Sequence, residues 1–296
     1  SAASPSSSYE VPGLPDAHVT EIAGAARPIN LLRPHAPNPV ARYRDGMTQA
    51  MTILHLTDLH FGAAETEGNS ANRKIILDQL LATIQDLEPE WRPNVICVTG
   101  DIGWAGRDSD YSSARTWLQT LVDRVGLTFA DIFLCAGNHD ASRNVTRSIG
   151  RPQSAADADT LLDPPIAEQY AKTFKSLTKF CKSAGVQAYK FQGKDSYLLG
   201  AARRAGIYFV ALNSSWFCKG DDDKGKLWIG LPHIKILESS GFLQIPGGSS
   251  PAIRVVLIHH PPDWWHESET SAFGPRQNTK GPRKNNSTRS CVQLRE

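Results

Sequence analysis

The sequence predicts an α/β domain whose sheets are covered on both faces. Three observations predict it: short apolar runs without polar alternation, amphipathic helical stretches between them, and polar residues of one chemical kind where the runs end. Met51 to Thr57 (MTILHLT) is the first run and reads as a buried strand. Ser70 to Leu87 follows as a helix, because Ile75, Ile76, Leu80, Leu81, Ile84 and Leu87 fall on one stripe. Pro89 and Pro93 stop it, and Val95 to Thr99 (VICVT) is the next strand. Tyr111, Ala114, Trp117, Leu118, Leu121, Val122 and Val125 mark a second helix that ends at Gly126, and Ile132 to Ala136 (IFLCA) is a third strand. Ile166 to Ala184 reads as one helix, ended by Gly185. Tyr197 to Gly200 and Ile207 to Leu212 read as a strand pair turning at Ala205-Gly206, followed by a short helix from Pro232 to Ser239. Ile253 to Ile258 (IRVVLI) is the last buried strand, and no internal repeat is found.

The ends differ from this middle. Residues 1–46 hold seven of the 19 prolines and no sustained period, and are expected to be a disordered or non-native extension. The domain is expected over 47–266, with 267–296 a disordered basic tail. From Gly274 to Glu296, six basic residues face one acid. Such a run is most often a solvated end; nucleic acid is a weakly supported partner, because no aromatics interleave the charges. Over all 296 residues, 32 Lys+Arg against 30 Asp+Glu give a net charge of +2, which supplies no electrostatic reason for nucleic acid or membrane as the main partner. No apolar run approaches the roughly 18 residues of a membrane span, and the start lacks a secretory apolar block. Five cysteines, none in a CxxC pair, fit a reducing compartment, so a cytoplasmic protein is expected, with Cys97 and Cys135 as inert core thiols.

Four strands run into polar residues: Asp58-Leu59-His60, Gly100-Asp101, Gly137-Asn138-His139-Asp140, and His259-His260-Pro261-Pro262. Ligands bind at the C-terminal edge of α/β sheets, where these loops converge. Two Asp, one Asn and several His form an oxygen-and-nitrogen set suited to divalent Mn, Fe, Zn, Ni or Co. Asp58 and His60, two apart on an extended segment, leave the same face. Gly100 lets the backbone turn sharply, so that Asp101 can approach a second ion. Each motif alone also has a plain turn or core explanation; the ordered combination does not.

Together these motifs resemble those of the calcineurin-like metallophosphoesterases over roughly residues 51–266. The resemblance implies a β-sandwich of mixed sheets flanked by helices in four layers, holding two divalent ions that hydrolyse phosphate mono- or diesters. It implies Asp58 and His60 as ligands of the first metal, Asp101 as the bridge, and Asn138 and His259 as ligands of the second. The family pattern His-x-Pro selects His259 over His260. His139 corresponds to the group that protonates the leaving oxygen or steadies phosphoryl charge, with Asp140 holding its ring.

The family's Gly-His-x-His motif has no counterpart, since the sequence contains no Gly-His dipeptide. The domain is therefore expected to be C-terminally truncated or replaced at its end, with His266 a possible substitute ligand. Three functions follow: a metallophosphoesterase, a catalytically impaired domain of this fold acting as an interaction or regulatory module, or a nuclease of the same superfamily. Arg143, Arg147 and Arg151 are candidate phosphate contacts or solvated loop residues, and Asn213, Ser214 and Ser215 line the pocket or form a turn. Trp264 and Trp265 wall the cleft or anchor the domain's end. Asp221 to Asp223 are expected in an exposed loop.

Overall fold

A computed structural model of the chain describes residues 18–23, 51–63, 69–164, 166–243, 253–277 and 291–294. In chain order the elements are β1 (His18–Ala23), β2 (Thr52–Thr57), α1 (Asn69–Gln85), β3 (Val95–Thr99), α2 (Asp108–Val125), β4 (Ile132–Cys135), α3 (Arg143–Thr146), α4 (Ala155–Leu161), α5 (Glu168–Ala171) and α6 (Lys175–Ala184). They continue with β5 (Tyr189–Phe191), β6 (Lys194–Ser196), β7 (Gly200–Arg204), β8 (Ile207–Ala211), α7 (Leu231–Ser239), β9 (Arg254–Leu257), α8 (Glu267–Gln277) and β10 (Cys291–Leu294).

Two sheets result. The first is parallel throughout, in the order β1-β2-β3-β4. The second is mixed, in the order β10-β9-β8-β7-β5-β6, with β8, β9 and β10 parallel and the rest antiparallel. Because side chains alternate along a strand, each sheet sends one set of residues inward and the other outward. Ile53, Cys97 and Phe133 of the first sheet meet Phe209, Ala211, Val255 and Leu257 of the second, and the Phe133 and Phe209 rings stack 4.1 Å apart. On the outer face of the first sheet, Leu54, Leu56, Ile96 and Leu134 pack under Leu80, Ile84, Leu118, Leu121 and Leu177 of α1, α2 and α6. On the outer face of the second, Val210 and Val256 pack under Ile234 and Leu237 of α7 and Phe273 of α8. Helix, sheet, sheet, helix: the expected four-layer sandwich is the fold. Both faces of β2, β3, β4 and β9 are thus buried, which is why these strands read as unbroken apolar runs.

α2 and α6 end at Gly126 and Gly185 in left-handed conformation (φ 71° and 80°), as their sequences predict. Among the described residues, no helix is long and apolar enough to cross a membrane.

Several local expectations are corrected. The predicted helix from Ile166 to Ala184 is broken into α5, a 3-10 turn at Lys172–Phe174, and α6. The Thr173 carbonyl accepts the Ser142 N–H at 2.8 Å, so it serves the loop after β4 rather than a continuous helical ladder. The strand predicted at Tyr197–Gly200 begins at Gly200 instead and runs to Arg204, although its turn at Ala205-Gly206 stands. The hairpin β5–β6 is an unpredicted element. α8 falls within the stretch expected as tail, and buries Glu269 and Phe273. β1 and β10 likewise lie inside the two expected extensions and pair with β2 and β9; the remainder of those extensions lies outside the described residues, apart from the part of α8 beyond residue 266. Asp223 is buried rather than looped out, accepting the Lys219 N–H at 2.8 Å and pairing with Arg151. Arg151 is accordingly committed to that ion pair.

Candidate metal centre

The C-terminal ends of β2, β3 and β4 open onto one edge of the first sheet, and the end of β9 brings the second sheet to the same place. The loops after β2 and β3 continue side by side: His60 N–H donates to the Asp101 carbonyl at 2.8 Å, Phe61 N–H to Ile102 at 2.9 Å, and Trp104 N–H to Phe61 at 2.9 Å. Arg73 of α1 donates to the His60 carbonyl at 2.5 Å. This clamping holds Asp58, His60 and Asp101 in left-handed backbone at φ 56°, 48° and 50°. Such conformations cost non-glycine residues of the order of 1–3 kcal/mol and persist only where surrounding contacts over-determine them. Here they turn three side chains toward one hollow.

Gly137 completes the crossing. A Cβ there would stand 2.2 Å from Asp101 Oδ1 and 2.4 Å from Asp101 N, so only glycine admits the carboxylate. The His139 N–H then donates to Asp101 Oδ1 at 2.8 Å, leaving Asp101 Oδ2 facing the hollow. Two donor groups converge there, Asp58-Asp101-His259 and His60-Asp101-His139, each with ligand atoms within 4.8 Å of one another. His60 Nε2 stands 3.4 Å from Asp58 Oδ1 and 3.7 Å from Asp101 Oδ2; His259 Nε2 stands 3.5 Å from Asp101 Oδ2 and 3.1 Å from Asn138 Oδ1. The structure brings Asp58, His60, Asp101, Asn138, His139 and His259 together.

The ring orientations suit a cation. His259 Nδ1 is 2.7 Å from the Thr99 carbonyl, and His139 Nδ1 is 2.7 Å from the Trp104 carbonyl. A carbonyl only accepts, so in the neutral ring each Nδ1 carries the proton and each Nε2 keeps its lone pair. A neutral His259 therefore directs that lone pair at the Asn138 carbonyl oxygen and the Asp101 carboxylate, an arrangement of acceptors that calls for a positive charge among them. Divalent cations fit these residues. In their absence, burial would depress the His259 imidazole, but Asp101 outweighs burial by its charge and hydrogen bond and pushes it up to about 10. Burial would raise Asp101, yet the charges of His259, His139 and His60 and the His259 hydrogen bond hold it well below the usual carboxylate range.

Asp140 does not hold the His139 ring, contrary to expectation. It is wholly buried, with its carboxylate accepting the N–H groups of Gly103 at 2.9 Å and Gly137 at 3.0 Å and the Tyr111 hydroxyl at 2.9 Å. Burial, then the Asp101 charge, raise it to about 6. The residue is a strut between the loops after β3 and β4. The His139 ring is held instead by the Trp104 carbonyl and by stacking on the Trp104 indole, 4.4 Å away at 25°.

Arg143 is exposed at the start of α3. Asn213, just after β8, is buried: its Oδ1 accepts the Ser215 N–H at 2.7 Å, the predicted turn, while its Nδ2 has no hydrogen-bond partner among the described residues. His266 stacks on Trp228 at 4.2 Å and belongs to neither donor group, so it is no substitute ligand. Trp265 anchors, with its indole N–H donating to the His260 carbonyl at 3.0 Å, and Trp264 stacks on the His260 ring at 5.3 Å. His260 itself, set aside in favour of His259, reaches the centre too: its Nε2 is 3.1 Å from Asn138 Oδ1. The adjacent histidines were the only signal of this in the sequence.

Fold and centre together define a four-layer scaffold whose donor side chains, drawn from two facing sheets, could hold metal ions. The chain belongs to the calcineurin-like phosphoesterase family, whose model matches residues 51–280. An uncharacterized metallophosphoesterase-like protein of Bacillus subtilis (strain 168), YydB, is 30% identical over 97 residues, which are 33% of this chain and 19% of that protein. The match therefore spans about a fifth (19%) of that relative's length. The solved phosphopantetheinyl hydrolase (PptH) from Mycobacterium tuberculosis overlays with a TM-score of 0.38 and 13% identity, covering 83% of this chain and 89% of that one. An overlay of that order carries no argument about this chain.

Proposed function

We propose that the chain hydrolyses phosphate mono- or diesters at a centre of two divalent cations, acting in the cytoplasm. The observation that carries this reading is the shared carboxylate. Asp101 Oδ2 stands 3.7 Å from His60 Nε2 and 3.5 Å from His259 Nε2, and the two nitrogens belong to different donor groups. Asp58, His60 and Asp101 would hold one cation, and Asp101, Asn138 and His259 the other, with Mn, Fe, Zn, Ni or Co suiting the set. When bound, the cations supply Lewis acidity and a nucleophile drawn from water near neutral pH. The chain does the rest. Backbone carbonyls of Thr99 and Trp104 fix the tautomers of His259 and His139. In its protonated state, His139 gives a proton to the leaving oxygen, and Arg143 and Asn213 are assigned to the non-reacting phosphate oxygens. The cytoplasmic assignment rests on Cys97, Cys135, Cys181 and Cys218, all free and buried.

Metal analysis combined with turnover of p-nitrophenyl phosphate and its bis-ester in added Mn²⁺ tests the reading. Metal uptake and turnover are expected, and Asp101→Asn should lose both. A chain that takes up no metal and turns over neither ester would overturn it. The missing Gly-His-x-His favours a second reading, a catalytically impaired interaction or regulatory module, and metal uptake without turnover would select it. Single-stranded and duplex DNA offered in the same assay test the nuclease reading.

A further inference from the structure

His259 and His260 are neighbours in sequence, both buried, and both within 3.1 Å of the same oxygen, Asn138 Oδ1. What separates them is the group behind each ring. His259 Nδ1 faces a backbone carbonyl, which compels it to carry the proton. His260 Nδ1 faces the Ser214 hydroxyl at 2.8 Å, which can donate or accept.

The Ser214 hydroxyl decides. It is fully buried, and among the described residues it meets two groups, both on His260: the backbone N–H at 3.3 Å and the ring Nδ1. The N–H can only donate to it. The hydroxyl proton then has one acceptor in reach, the lone pair of Nδ1, and a buried hydroxyl that fails to donate costs free energy. The proton of the neutral ring therefore sits on Nε2, opposite to His259 and His139. That Nε2–H points at Asn138 Oδ1.

We propose that His260 is a positioning residue for the second cation: the relay Ser214 Oγ–H to His260 Nδ1 and His260 Nε2–H to Asn138 Oδ1 turns the Asn138 carbonyl oxygen, rather than its amide NH₂, toward His259 and Asp101. An asparagine side chain has nearly the same shape in either orientation, and only the oxygen ligates. Trp264 stacked on the ring and Trp265 bonded to the His260 carbonyl keep the imidazole in place. The pair thus divides its labour, His259 ligating and His260 orienting a ligand. This rests on the two-cation reading above.

Long-range ¹H–¹⁵N correlation on the zinc-treated and metal-free wild-type chain reads the tautomer directly. His260 should show a protonated Nε2 and a bare Nδ1; a protonated Nδ1 overturns the proposal whether or not metal binds. Zn²⁺ titration of variants reads the consequence. His260→Ala should weaken the second cation 10–100-fold and leave the first unchanged, the usual cost of losing a partner of a ligand. His260→Gln, which restores an N–H near the position of Nε2, should recover most of that loss. Unchanged affinity in His260→Ala, or a glutamine variant as weak as the alanine variant, overturns the proposal. If the wild-type chain binds no cation, the two-cation reading fails separately, and the tautomer still judges the relay.

Discussion

His139 illustrates how one side chain can be near the donors without being committed to them. A ring nitrogen lies within 4.8 Å of ligand atoms of His60 and Asp101, yet its anchor is the backbone carbonyl of Trp104, three residues beyond Asp101 on the loop after β3. Removing the ring leaves the backbone N–H that pins Asp101 Oδ1 untouched. His139→Ala should therefore lower turnover of p-nitrophenyl phosphate by about 10²–10⁴-fold, with metal content retained; full turnover would remove His139 from proton transfer. The motif residues were legible in the sequence because each follows directly from a strand whose end is easily recognised. The anchors were not legible. Trp104 acts through its backbone carbonyl, Asp140 through the Gly103 amide 37 residues away in the chain as well as through Gly137, and Ser214 through a ring 46 residues on. A chemical type at a spacing cannot report such partners.

At the scale of elements, α8 shows how a stretch that reads as tail becomes structure. Its sequence, ESETSAFGPRQ, has a weak apolar face, but Phe273 packs edge-on against Trp265 at 5.5 Å, and Glu269 reaches the start of α7. There Glu269 Oε2 accepts the Ile229 N–H at 3.2 Å, while Oε1 has no hydrogen-bond partner among the described residues. Burial is the main cause that raises this carboxyl to about 7; the amides of Ile229, Gly230 and Leu231 oppose it, and the nearby Asp159 charge adds to it. The folded chain thus binds this proton more tightly than the unfolded chain, whose glutamate titrates near 4.5. The resulting stability is fully present below that pH and is lost as pH rises through about 7, on the order of 3 kcal/mol in all. Glu269→Gln, neutral throughout, should lose less melting temperature than wild type between pH 5.5 and 8. Equal losses would show that Glu269 is not the group responsible. Periodicity also missed β5 and β6, which are three residues each and mostly polar, and are formed by the pairing of β5 with β7 and of β6 with β5 rather than by their own pattern.

For the molecule as a whole, the centre lies across the seam between the sheets. Asp58, His60, Asp101, Asn138 and His139 come from the first sheet, while His259 and His260 come from the second. Between the sheets runs a core of apolar side chains with Phe133 stacked on Phe209, and this core sets their spacing without any cation. At the edge, however, Asp101 and Asn138 face His259 across the seam at 3.5 and 3.1 Å, so ligation there, as proposed above, would tie one sheet to the other. Anything that binds the folded but not the unfolded chain stabilises it, by about 2.7 kcal/mol at a hundred times its Kd. For a domain of this size that corresponds to roughly 5–10 °C in melting temperature. Metal-loaded wild type should therefore melt higher than the chelator-treated chain by about that amount. His139→Ala should keep the difference, and Asp101→Asn, which loses the carboxylate common to both donor groups, should abolish it. If loaded and stripped wild type melt together although metal analysis finds cations bound, folded and unfolded chains bind them alike, and the cations are not held by ligands that folding brings together across the seam.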